Sequence, residues 1–98
     1  MKTIFSLHKI CNYQGHVIRA EKRSLFFTME YSLIVEDVKQ DQVLGSYGII
    51  TMHGFLDNES KKKPLKIIIK QKVFRAKFYL SVDGQKHLME DYYPDEFK

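Results

Sequence analysis

The chain has 98 residues, 44% hydrophobic and 29% charged, which fits one small globular domain and excludes a disordered or fibrous chain. A formal net charge of +4 points to an anionic partner and says nothing about fold. The single cysteine, Cys11, excludes an intrachain disulfide, and no run approaches the roughly 20 apolar residues that span a bilayer. A cytoplasmic protein with no membrane partner is expected.

The opening MKTIFSLHKICNYQG starts like a secretion signal, but His8 and Lys9 cut its apolar run short, and residues 3–11 read as a strand. Its inward parity is ambiguous, with Phe5 and Leu7 on one side and Ile4 and Ile10 on the other. Residues 12–15 read as a turn containing Gly15, and 17–20 as a second short strand. Residues 25–35 alternate cleanly. Leu25, Phe27, Met29, Tyr31, Leu33 and Val35 share one parity, which describes a half-buried strand and leaves no single stripe for a helix. The polar stretch 36–42 reads as a loop. Residues 43–56 form a strand region interrupted by Gly45, Gly48 and Gly54, where bulges or bends are expected.

The polar insertion DNESKKKP at 57–64 reads as an exposed loop leading into a basic block at 61–89. Leu65, Ile67 and Ile69 are odd, whereas Phe74, Ala76, Phe78, Leu80 and Val82 are even, so an unbroken strand would turn its apolar face over midway. A hairpin resolves the conflict. A four-residue loop at 70–73 pairs Ile69 with Phe74, Ile67 with Ala76 and Leu65 with Phe78, and sets Lys66 against Lys77 on the other face. Asp83-Gly84 then signals a two-residue hairpin into residues 85–89.

No Cys/His cluster has metal-ligand spacing, and no nucleophile, base and orienting group recur in a recognisable arrangement, so neither an enzyme nor a cofactor is expected. Arg19 and Arg23 in RAEKR have the arginine spacing that resembles the start of the PilZ cyclic-dinucleotide-binding family, whose domain is also a small β-barrel. The downstream Asp/Asn-x-Ser-x-x-Gly signature of that family is missing from this chain. The basic block is the main candidate site. Lys61, Lys62, Lys63, Lys66, Lys70, Lys72, Arg75 and Lys77, with Tyr79 as a stacking ring, suit nucleic acid, most readily single-stranded. The alternative is an inhibitor, immunity or adaptor protein that engages one protein partner through a β surface and the acidic, aromatic tail, using Tyr92, Tyr93 and Phe97. That tail can also fold over the basic hairpin. The expected fold is all-β, a small OB-like barrel or compact antiparallel sandwich of about five to seven strands.

Overall fold

A computed structural model of the chain describes residues 5–26, 28–45, 47–58, 61–73 and 75–93. They form nine strands: β1 (Phe5–Tyr13), β2 (His16–Ser24), β3 (Met29–Val35), β4 (Val38–Gly45), β5 (Gly48–Asn58), β6 (Lys61–Gln71), β7 (Ala76–Val82), β8 (Gln85–Leu88) and β9 (Glu90–Asp91). No helix occurs among the described residues, so none is long and apolar enough to cross a membrane. One antiparallel sheet has the order β4-β3-β2-β1-β9 and the other β5-β6-β7-β8. The all-β class therefore holds, with more strands than the alternation alone revealed.

The two sheets share one core. Ile18 and Ala20 of β2 and Tyr31, Leu33 and Val35 of β3 meet Met52 and Leu56 of β5, Leu65, Ile67 and Ile69 of β6, and Phe78, Leu80 and Val82 of β7. Leu7, Cys11 and Tyr13 pack against this cluster, which settles the inward parity of β1. The chain passes from one sheet to the other at Gly45 to Gly48 and again at buried Met89, whose N–H donates to the Phe78 carbonyl at 2.9 Å. The resulting sandwich is close to a barrel but is not closed.

Two polar stretches expected to be loops are strands. Residues 36–42 contain a two-residue turn, Glu36-Asp37, with both φ angles positive (49° and 65°), and then β4. Such mirror-image turns match the twist of a hairpin and commonly use glycine; here the Glu36 N–H donates to the Val17 carbonyl at 3.0 Å and holds the turn against β2. The polarity of β4 has a structural use. Leu33 pairs with Asp41 but Ile34 with Lys39, so Gln40 is a bulge residue. Gln40 Oε1 accepts from the Phe55 N–H at 2.8 Å, its Nε2 donates to the Phe55 carbonyl at 3.0 Å, and Asp41 Oδ2 accepts from the His53 N–H at 2.8 Å. These side chains satisfy the edge of β5 where no backbone ladder does. The bulge thus sits at Gln40, whereas Gly54 provides the close approach. A Cβ there would collide with Gln40 Oε1 and lie 2.7 Å from Leu33 Cδ2.

The insertion 57–64 is the other correction. β5 runs to Asn58 and β6 starts at Lys61, with Asp57 opposite Lys62. Strand pairing outweighs local polarity there because two long neighbours extend the ladder. The expected hairpin in the basic block exists with a four-residue connection, displaced by two residues. Ile69 pairs with Phe78, Ile67 with Leu80 and Leu65 with Val82, while the Lys72 N–H donates to the Arg75 carbonyl at 2.7 Å. Lys66 therefore faces Ser81, and it is Lys70 that faces Lys77. Gln71 causes the shift: it points inward, buried, and its Nε2 donates to the Lys72 and Arg75 carbonyls at 2.6 and 3.1 Å. Tyr31 closes this network by donating its hydroxyl to Gln71 Oε1 at 3.0 Å. Asp83-Gly84 forms the expected turn, with φ of 53° and 72° and Val82 opposite Gln85.

Candidate nucleic-acid interface

Strands β5 to β8 alternate core residues with outward ones, and their registers arrange the outward side chains in transverse rows. Ile49, Lys70 and Lys77 form the first row. Thr51, Ile68, Tyr79 and Leu88 form the second, and His53, Lys66, Ser81 and Lys86 the third. Phe55 and Pro64 make a fourth, beyond which Lys62 faces Asp57. Successive rows are about 6.7 Å apart along the strands, so Tyr79 lies midway between two lysine rows separated by about 13 Å.

Tyr79 is the centre of this face. Lys86 Nζ sits 4.8 Å and Lys70 Nζ 5.5 Å from its ring centroid. Lys62 Nζ lies 4.6 Å from the Phe55 ring. Each ring thus carries ammonium groups that attract its π-face, an arrangement that places aromatic surface and positive charge together. Beside the third row, a groove of about 460 Å³ is lined by His53, Pro64, Lys66 and Ser81, and reaches the Asp83-Gly84 turn.

The two sheets differ in how their outward basic side chains are partnered. On the outer side of the five-stranded sheet Arg19 meets Asp37 at 2.8 Å and Arg23 meets Glu30 at 3.2 Å, the His8 ring lies 3.5 Å from Glu21, and Lys39 donates to Gln42 Oε1 at 3.0 Å. Arg19 and Arg23, the two residues that resemble the PilZ start, are both engaged in this way. Among the described residues Lys66, Lys70, Lys77 and Lys86 form no ion pair.

Most of the sequence-derived basic residues gather here, with differences. Lys62, Lys66, Lys70 and Lys77 share the outer face with Tyr79, Lys61 is exposed at the start of β6, and Lys72 and Arg75 are exposed in the connection between β6 and β7. Lys63 leaves the group. It has the inward parity of Leu65, reaches Asp83 at 2.9 Å and Gln14 at 3.4 Å, and lies 5.8 Å from the Tyr13 ring. Asp83 also accepts from the Tyr13 hydroxyl. That bond, then the one from Lys63, holds the Asp83 carboxyl below its usual range, and the same contact with Asp83 raises the Tyr13 phenol. His53, Lys86 and Leu88 join the face unanticipated, beside Ile68, whose parity already set it outward. Lys86 was derivable, since the two-residue turn at Asp83-Gly84 fixes it opposite Ser81.

The tail docks elsewhere. Glu90 and Asp91 pair with Ile10 and Lys9 of β1, Asp91 accepts from Lys9 Nζ, and the Tyr92 N–H donates to the His8 carbonyl at 3.0 Å. The Tyr92 ring lies 5.9 Å from the Arg19 guanidinium and Tyr93 is exposed. As far as Tyr93 the tail lies along the five-stranded sheet and leaves the lysine rows uncovered. Phe27, Phe74 and Phe97 lie outside the described residues.

No family model, curated protein or solved structure matches this chain. Among the described residues no three His, Cys, Asp or Glu side chains gather to hold a metal ion. What the outer face offers is positive charge at fixed spacing around a central ring.

Proposed function

We propose that this protein binds single-stranded nucleic acid on the outer face of β5 to β8, without catalysis. The observation that supports the reading is the pair of lysine rows, Lys70 and Lys77 on one side and Lys66 and Lys86 on the other, unneutralised and flanking Tyr79. Like charges set opposite one another on a sheet destabilise it, and a polyanion laid across the rows offsets that cost. Tyr79 supplies a stacking surface to an unpaired base, with Ile68 and Leu88 beside it. A duplex, whose bases are already stacked, makes no use of that ring.

The deciding experiment is retention of a labelled single-stranded oligonucleotide at low salt. The wild-type chain is expected to bind, and a variant with Lys66, Lys70, Arg75 and Lys77 all changed to Glu is expected to lose binding. Absence of any wild-type affinity at low salt would end the proposal.

A further inference from the structure

One end of the molecule carries an apolar surface that the nucleic-acid reading does not use. In a meander of hairpins, alternate connections lie at the same end, so the links from β2 to β3, β4 to β5 and β6 to β7 come together. Side-chain bonds tie them: Thr28 Oγ1 donates to the Gly45 carbonyl at 3.4 Å, and Tyr31 reaches Gln71, which holds the β6–β7 connection. Phe26, Leu44, Tyr47, Ile49 and Val73 all lie in these connections or the strand ends beside them, and each is 60 to 72% exposed. They account for five of the eight large hydrophobic residues exposed among the described positions.

The charge at this end is nearly all of one sign. Within residues 24–30, 43–50 and 70–77 the cations are Lys70, Lys72, Arg75 and Lys77, and the one carboxylate, Glu30, is held by Arg23 at 3.2 Å. The connections at the opposite end mix Glu36, Asp37, Asp57 and Asp83 with Lys61, Lys62 and Lys63. One end is therefore apolar and cationic, the other mixed in charge.

We propose that this end docks on an anionic lipid surface, with Leu44, Tyr47 and Val73 entering the headgroup boundary and Lys70, Lys72, Arg75 and Lys77 held at the level of the lipid phosphates. A bilayer is favoured over nucleic acid because the aliphatic side chains of Leu44, Ile49 and Val73 need hydrocarbon to cover them, which a sugar-phosphate strand does not provide. It is favoured over a protein groove because the apolar residues project from three separate connections rather than lining a concavity, and because a planar anionic surface attracts the cations set among them. This departs from the expectation of no membrane partner, which rested on the absence of a spanning segment; surface docking needs none.

The test is co-sedimentation of the full chain with vesicles of phosphatidylcholine alone or mixed with phosphatidylglycerol. Partition onto the mixed vesicles is expected to exceed that onto the neutral ones by up to about a thousandfold, given four cations near the surface. Leu44→Ser, Tyr47→Ser and Val73→Ser together are expected to lower partition by about tenfold through lost apolar burial, with the circular-dichroism melt retained. Lys72→Glu with Arg75→Glu is expected to abolish the preference for anionic lipid, whereas Lys66→Glu with Lys86→Glu leaves it in place and so separates this surface from the nucleic-acid face. No wild-type partition onto anionic vesicles, or partition unaffected by the triple serine variant, would overturn the proposal. So would a concentration-dependent dimer dissolved by that variant without vesicle retention, which would assign the end to a second copy of the chain.

Discussion

Lys70 stands directly opposite Lys77 on the outer face of the β6–β7 hairpin, and neither forms an ion pair among the described residues. Lys77→Glu replaces a like-charge pair with an opposite-charge one and leaves the contact between Lys70 and Tyr79 in place. Cross-strand pairs contribute roughly 0.2–1 kcal/mol, so the variant is expected to be more stable by about that amount. Its affinity for an oligonucleotide is expected to fall at the same time. A thermal melt and a binding curve on one preparation check both; higher stability with unchanged binding would detach the lysine pair from function.

Tyr79→Ala tests the ring apart from the charge. Loss of one stacked base costs about 1–3 kcal/mol of binding, while the dependence of affinity on salt should stay that of the wild type, because no phosphate contact is removed. Fluorescence anisotropy across a salt series separates the two effects. An altered salt slope with little loss of affinity would show that the ring only positions its flanking lysines.

Gly54→Ala tests the join between β4 and β5. The added methyl collides with Gln40 Oε1 and Leu33 Cδ2, and Gln40 cannot yield without releasing the N–H and carbonyl of Phe55. Destabilisation of about 1–3 kcal/mol is expected, the usual cost of overpacking. A urea titration measures it, and a change near zero would mean that Gln40 contributes little to the edge.

Lys22 is 8% exposed and points into the core from β2, level with Leu7 and Tyr31. Burial lowers its pKa, so the folded state holds the proton less tightly than the unfolded one. Between the depressed folded pKa and the ordinary lysine value the unfolded chain binds more protons, and stability therefore rises with pH across that window; below it the cost is constant. Lys22→Met is expected to raise Tm by a few degrees at neutral pH, with the gain shrinking as pH approaches the ordinary lysine range. Thermal melts at several pH values check this, and a gain that grows with pH would contradict the sign.

The β class and much of the core were legible because apolar alternation reports burial directly. Ile67, Ile69, Phe78 and Leu80 are core residues as their parity requires, and the flip of parity within the basic block does mark a hairpin. The register was not legible. Alternation treats glutamine as outward, and Gln71 is inward because the β6–β7 connection and Tyr31 supply partners for its amide. β4 was hidden for a related reason. Its polar Gln40 and Asp41 serve the backbone of β5, a strand that follows it in the chain, and no local pattern reveals a partner brought by folding. The lysines of the face could be named from sequence, but their rows around Tyr79 depend on the register.

The central claim is that the lysine rows on β6 to β8 meet the phosphates of a single strand. The most direct measurement is the slope of log affinity against log salt for a labelled single-stranded oligonucleotide. If Lys66, Lys70, Lys77 and Lys86 each neutralise one phosphate, the slope is expected to be about −3, a loss of roughly 50-fold between about 50 and about 200 mM salt, and Lys66→Gln with Lys70→Gln should bring it to about −1.4. Wild-type affinity that is absent, or a slope near zero, would contradict the account.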